Sequence, residues 1–346
     1  MRRKILSTLS LLISACLWAA NSLSVIQTTI GSGIETQSLN VIAKDQLGRL
    51  WIGSNVGVSV ISNGTVTNIR EVESEGGSVM LGNISSIACT QSALISSQDR
   101  ILHYELGCDS AATLKYNGQI LHTEDFLVEG NNVTFFDKDY GSLFSYNMEN
   151  GICRLVASFK SDSEFSFSKI MRSESDSLTI YLADDMLGLY SYNRDNGIIQ
   201  RVPGTDRPII AKASAIDKSG MIWLSIPNGG IKGYYINSGY ENVANYNTQN
   251  CNLPSDNISL VSPLNNGNLL LCHPDAGMCR LQRTDIANNR ITVRNINDLN
   301  DVTSVMVSYD SHETLFATRE HGLISIKESF MWQIGHLMEK SNGVIN

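Results

Sequence analysis

The stretch that decides the fold is Asp45 to Val58, DQLGRLWIGSNVGV. A turn holding Gly48 leads into the apolar run RLWIG, a polar turn follows, and Gly57 opens a second apolar run. Two short strands around a tight turn fit this pattern, but an isolated hairpin is marginal in water. The stretch must belong to something larger. Ala215 to Tyr235, AIDKSGMIWLSIPNGGIKGYY, repeats its order, with Asp217, Gly220 and Trp223 where Asp45, Gly48 and Trp51 stand. Weaker copies begin at Ser85, Asn131, Ser168, Ile258 and Val302.

The strand anchors of these copies are Trp51, Ile95, Phe135, Tyr181, Trp223, Leu270 and Phe316, about 40 to 47 residues apart. Several short strands per unit at that period indicate propeller blades rather than a helical solenoid. The strand stretches are rich in Val, Ile, Leu, Tyr and Ser, and the six prolines fall mostly between them. The expected fold is all-β, a seven-bladed β-propeller of four-stranded blades. A ring must close, because an open end leaves unpaired strand edges. Val25 to Ile30 has no blade of its own, so it is expected as the outer strand of blade seven.

With 346 residues, 42% of them hydrophobic, the chain can bury a large core. Its formal net charge of -8 argues against nucleic acid or an anionic membrane as partner, while carbohydrate stays open. MRRK followed by ILSTLSLLISACLWA reads as an export signal. Cleavage between Ala20 and Ser22 is the first expectation, and lipidation of Cys16 in ISAC is the alternative. The organisation is then a signal peptide over 1–22, a propeller over 23–328, and a linker or the start of a second propeller over 329–346. The last assignment rests on SFMWQIGHLMEKSNGVIN, whose strand from Phe330 to Leu337 resembles the lead-in to blade one. Six cysteines remain after cleavage, with no C-x-x-C and no zinc spacing. They read as small buried residues, and only Cys272 and Cys279, flanking HPDAGM, are expected to bridge.

VIAKDQLGRLWIGSNVGVSVI and AIDKSGMIWLSIPNGG resemble the two-component regulator propeller repeat, roughly I-x-x-D-x-x-G-x-L-W-I-G-T-x-x-G-L. Blade one follows it nearly throughout, with Ser54 for Thr and Val58 for Leu. Blade five departs more, Ser225 and Ile226 replacing the Gly-Thr pair. The resemblance implies the periplasmic region of a hybrid two-component sensor that detects an oligosaccharide and signals to a kinase outside this chain. It also implies a second propeller, further downstream sensor domains and a homodimer as partners. No cofactor is implied. The motif residues themselves read as structure: Gly48 and Gly57 in turns, Trp51 and Trp223 between blades, Asp45 and Asp217 bonding their own turn backbones.

No catalytic set can be assembled. The six histidines match no zinc spacing, and no nucleophile elbow, P-loop or dinucleotide fingerprint occurs. Asp184 and Asp185 pair two carboxylates, but adjacent strand residues point to opposite sides. A polysaccharide hydrolase or lyase, or a free-standing protein-interaction scaffold, stands as the alternative to a sensor. In a propeller, the loops between second and third strands share one face with the blade-joining segments, around the central channel. The ligand-binding candidates on that face are Asn55, Arg100, Asp185, Lys212, Asn228, His273, Asp275, Arg319 and His321, with Asn131, Lys169 and Asn257 expected beside them. Their amides, charges and imidazoles suit sugar hydroxyls, uronates and sulfates.

Overall fold

A computed structural model describes residues 26–30, 32–108, 110–159, 165–264, 267–285, 290–307 and 313–327. The export signal, Cys16 and the segment 329–346 lie outside these residues. Seven antiparallel four-stranded sheets form a β-propeller. Blades one to six span 39–69, 84–113, 126–158, 167–201, 210–246 and 260–297, each with its strands in sequence order. Their first strands neighbour one another around a closed ring and so line the channel. Blade seven takes three strands from 302–327 and its outer strand from Ile26–Ile30, which pairs with Leu323–Lys327. The ring therefore closes through the N-terminal strand. Two hairpins that the repeat pattern does not show, Glu71–Ser74 with Gly77–Met80 and Lys115–Tyr116 with Gln119–Ile120, sit in blade-joining segments. A single helical turn, Thr248–Cys251, sits in a third.

Each blade packs both faces against its neighbours, so second strands such as Leu50–Ser54, Ala93–Ser97 and Met221–Ile226 are buried almost throughout. Trp51 and Trp223 are fully buried in equivalent places. Trp51 packs with Ile87, Ile95 and Leu102 of blade two, and Trp223 with Val261, Leu269 and Leu271 of blade six. Tyr181 and Leu270 likewise face the following blade. Ile95, Phe135 and Phe316 do not. They face the preceding blade, and the true counterparts of Trp51 in those blades are Leu94, Thr134 and Leu315. A one-residue shift along a strand exchanges its two faces, which is how an anchor series read from apolar content slips.

The turns explain the motif residues. Oδ1 of Asp45 accepts from the backbone N–H of Leu47 and Arg49, at 3.0 and 2.9 Å, and Asp217 does the same for Ser219 and Met221. Gly57 immediately precedes the third strand of blade one and Gly230 starts that of blade five, with φ of +148° and +75°. A Cβ there would lie 2.4 Å from the Ile69 oxygen or 2.1 Å from that of Tyr246. Only glycine lets the fourth strand end so close.

The expected Cys272–Cys279 bridge is corrected: both thiols are free. Across the hairpin Cys279 faces Leu271, and Cys272 faces Met278. The two sulfurs thus point to opposite faces of the sheet, Cys272 packing toward blade seven and Cys279 toward blade five. Residues flanking a hairpin turn can bridge only when they share a face.

Candidate functional site

In blades one, three, four and seven the turn between second and third strands is set by the last side chain of the second strand. In blade four, Asp184 Oδ1 accepts from Met186 and Leu187 N–H, and Oδ2 from Ser166 N–H of the incoming segment. In blade three Asp137 does the same for Asp139, Tyr140 and His122. Thr318 and Ser54 do it with hydroxyls. These buried polar side chains hold four turns on one face of the propeller, and Asp184 is such a cap rather than half of a carboxylate pair.

The predicted residues fall on that face in three ways. Asn55, Asn228 and Arg319 are exposed on their turns. Others are already engaged. Arg100 forms a bidentate ion pair with Asp99, at 2.9 Å for both bonds, whose hydrogen bonds hold the Asp99 carboxyl below its usual range. Asp185 Oδ1 accepts from Ala211 N–H at 2.7 Å, Asp275 accepts from Ser255 Oγ at 2.8 Å, and His321 Nδ1 meets Asp301 at 3.0 Å. His273 is fully buried. Its Nδ1 lies 3.1 Å from the Asn257 oxygen and its Nε2 3.2 Å from Cys279 Sγ. Burial pushes the His273 pKa down and the Cys279 thiol up to about 12, so this is a neutral packed pair that offers nothing to the face. Asn131 is a further correction, lying in the turn between Phe126–Glu129 and Asn132–Asp137, at the opposite end of the blade.

Lys169 and Lys212 are the informative pair. Both sit near the start of first strands, Phe167–Ser173 and Ile210–Ile216, at the channel mouth. Lys169 Nζ contacts Asp125 at 3.0 Å, and Asp125 also accepts from Ile170 N–H. Lys212 Nζ reaches past blade four to Glu124, on the segment leading into blade three, at 3.0 Å. Four charged groups from three consecutive blades therefore converge on one spot. The Lys212–Glu124 pair is solvent-exposed, with side-chain exposures of 62% and 42%, so water and a charged ligand can both compete for it. Its partners are 88 residues apart, and no local pattern signals them.

His122, Asp137 and Asp139 bring three ligand-type atoms within 4.8 Å. Both oxygens of Asp137 are already taken by backbone N–H groups, in the same geometry as Asp184. The grouping follows from the turn.

No family model matches this chain, and no curated protein matches it. Solved structures do. The extracellular domain of a hybrid two-component system from B. thetaiotaomicron superposes on 88% of this chain with a TM-score of 0.65 at 15% identity. A second such domain from that organism superposes on 88% with a TM-score of 0.64 at 16% identity. Virginiamycin B lyase from Staphylococcus aureus gives 0.60 over 89% at 12% identity, with all of its chain covered. What they share with this chain is the propeller. The chain spans 42% and 40% of the two sensor domains, against the whole of the lyase.

Proposed function

We propose that this chain is the ligand-sensing propeller of an exported two-component sensor, and that an acidic oligosaccharide binds at the channel mouth. The observation that carries the reading is the convergence of Lys169, Lys212, Glu124 and Asp125 from three blades. An anionic sugar that draws Lys212 from Glu124 exchanges an exposed ion pair of small worth for contacts spanning several blades. Asn55, Asn228 and Arg319 supply further donors and acceptors on the surrounding turns. The likeness to two extracellular sensor domains supports the sensing role, and the repeat motif of blades one and five supports the two-component class. Export to the periplasm, a second propeller, a homodimer and a downstream kinase belong to the same proposal.

A thermal-shift screen of neutral and acidic oligosaccharides tests it, since a ligand that binds only the folded state raises the melting temperature. The expected result is a concentration-dependent rise for acidic members. Sugar release from any member, abolished by replacing one carboxylate, would instead favour the enzyme.

A further inference from the structure

Between blades three and four, at the end of the propeller opposite the channel mouth, lies a recess of about 550 Å³. Its origin is in the repeat. At the position where blades one, four and five place Trp51, Tyr181 and Trp223, blade three has Thr134, and across from it stands Ser145. Thr134 thus occupies the place that those blades fill with a bulky anchor, while Ser145 matches Ser191 of blade four. Asn132 and Asn147, joined at 2.9 Å, continue the polar wall on the same face of the blade.

The neighbouring interface provides the comparison. Blade four carries Ser-Tyr-Asn-Arg-Asp-Asn-Gly-Ile from Ser191, closely matching Ser-Tyr-Asn-Met-Glu-Asn-Gly-Ile from Ser145 in blade three. Both turns are built alike, with Asn147 and Asn193 each accepting two backbone N–H bonds. Blade four keeps its anchor, however. Tyr181 is fully buried, its hydroxyl lies 3.2 Å from that of Tyr240, and the equivalent recess measures about 160 Å³. Losing the anchor is what opens the larger one.

The recess is also electropositive in an acidic chain. Glu129 on its wall pairs with Arg194, which also lines the recess, and with Arg172, which does not. Arg154, exposed on the rim with no side-chain partner among the described residues, leaves the lining one positive charge over. Glu149 on the adjacent turn is bonded to Asn131 and does not line the recess. We infer that this recess is a binding site for a small polyhydroxylated anion, a sugar acid of one or two residues, with Arg154 meeting its carboxylate and Thr134, Ser145 and Asn132 its hydroxyls. A volume of this order suits such a ligand, and a guanidinium is the side chain fitted to a carboxylate. The site is separate from the channel mouth and stands whether or not that end binds sugar.

The test is calorimetry with digalacturonate, in a Lys212→Ala background that removes the channel-mouth lysine. The parent should bind it, and cellobiose at least tenfold more weakly. Arg154→Ala should weaken digalacturonate binding at least tenfold. Thr134→Leu, which restores the kind of anchor the other blades use, should abolish binding while leaving the melting temperature equal or higher. Binding unchanged in folded Thr134→Leu, or no binding of digalacturonate by the parent at millimolar concentration, would overturn the inference. Failure of the channel mouth would show separately, as an unchanged response of the wild type to Lys212→Ala alone.

Discussion

The indole N–H of Trp223 donates to Oδ2 of Asp217 at 2.9 Å, and Trp51 makes the same bond to Asp45 at the same length. One carboxylate thus caps the turn with Oδ1 and holds the tryptophan with Oδ2. The Asp, Gly, Trp spacing of the motif is this bond written in sequence: the turn returns the chain so that the indole, six residues on, meets the carboxylate from inside the blade. Truncating Asp217 to Ala leaves a buried indole N–H and two turn N–H groups unpaired, which should cost about 2 to 4 kcal/mol. Urea denaturation measures it, and a loss below about 1 kcal/mol would show the bond to be incidental.

Asp45 adds a pH dependence. Burial raises its pKa, but hydrogen bonds from Trp51 and Arg49 outweigh that and hold the carboxyl below its ordinary value. A depressed native pKa gives stability that is complete above the unfolded value of about 3.9 and is lost as pH falls through the native one. The urea midpoint should fall more steeply below pH 4 in the wild type than in Asp45→Asn. Parallel curves would contradict this.

The free thiols make a redox prediction. Cys272 and Cys279 lie on opposite faces of one hairpin, so dithiothreitol should leave the melting temperature unchanged. Both should resist alkylation in the native state, being buried with raised thiol pKa values, and both should react after unfolding. A reductant-sensitive melting point would refute the register.

Ring closure is testable by truncation. A chain that starts at residue 32 lacks the strand Ile26–Ile30 and exposes the edge of Leu323–Lys327. Each lost ladder hydrogen bond is worth about 1 kcal/mol, so the urea midpoint should drop clearly. An unchanged midpoint would mean that the ring does not depend on this closure.

How far the sequence could be read follows from these residues. The Asp-Gly-Trp turns of blades one and five are local, and they carry the blade period and the fold. The register of the weaker blades was harder, because Leu94 and Ile95, Phe135 and Phe136, and Leu315 and Phe316 are adjacent apolar residues that face opposite sides. Apolar content cannot tell such neighbours apart. Thr134 was hidden for the converse reason, a polar residue where an anchor belongs. The face loops were legible from turn residues, but the ion pair of Lys212 with Glu124 joins distant blades, and the burial of His273 depends on Asn257 and Cys279 around it.

The central claim is that the channel mouth binds an acidic oligosaccharide through Lys212. Calorimetry of the wild type and Lys212→Ala, with the best ligand of the thermal-shift screen, tests it most directly. Because the ion pair is exposed, the substitution should cost no more than about 1 kcal/mol of stability, so both proteins will be folded. The account predicts binding that weakens at least tenfold in Lys212→Ala. Equal affinity in the two proteins, or no heat with any acidic oligosaccharide, would contradict it.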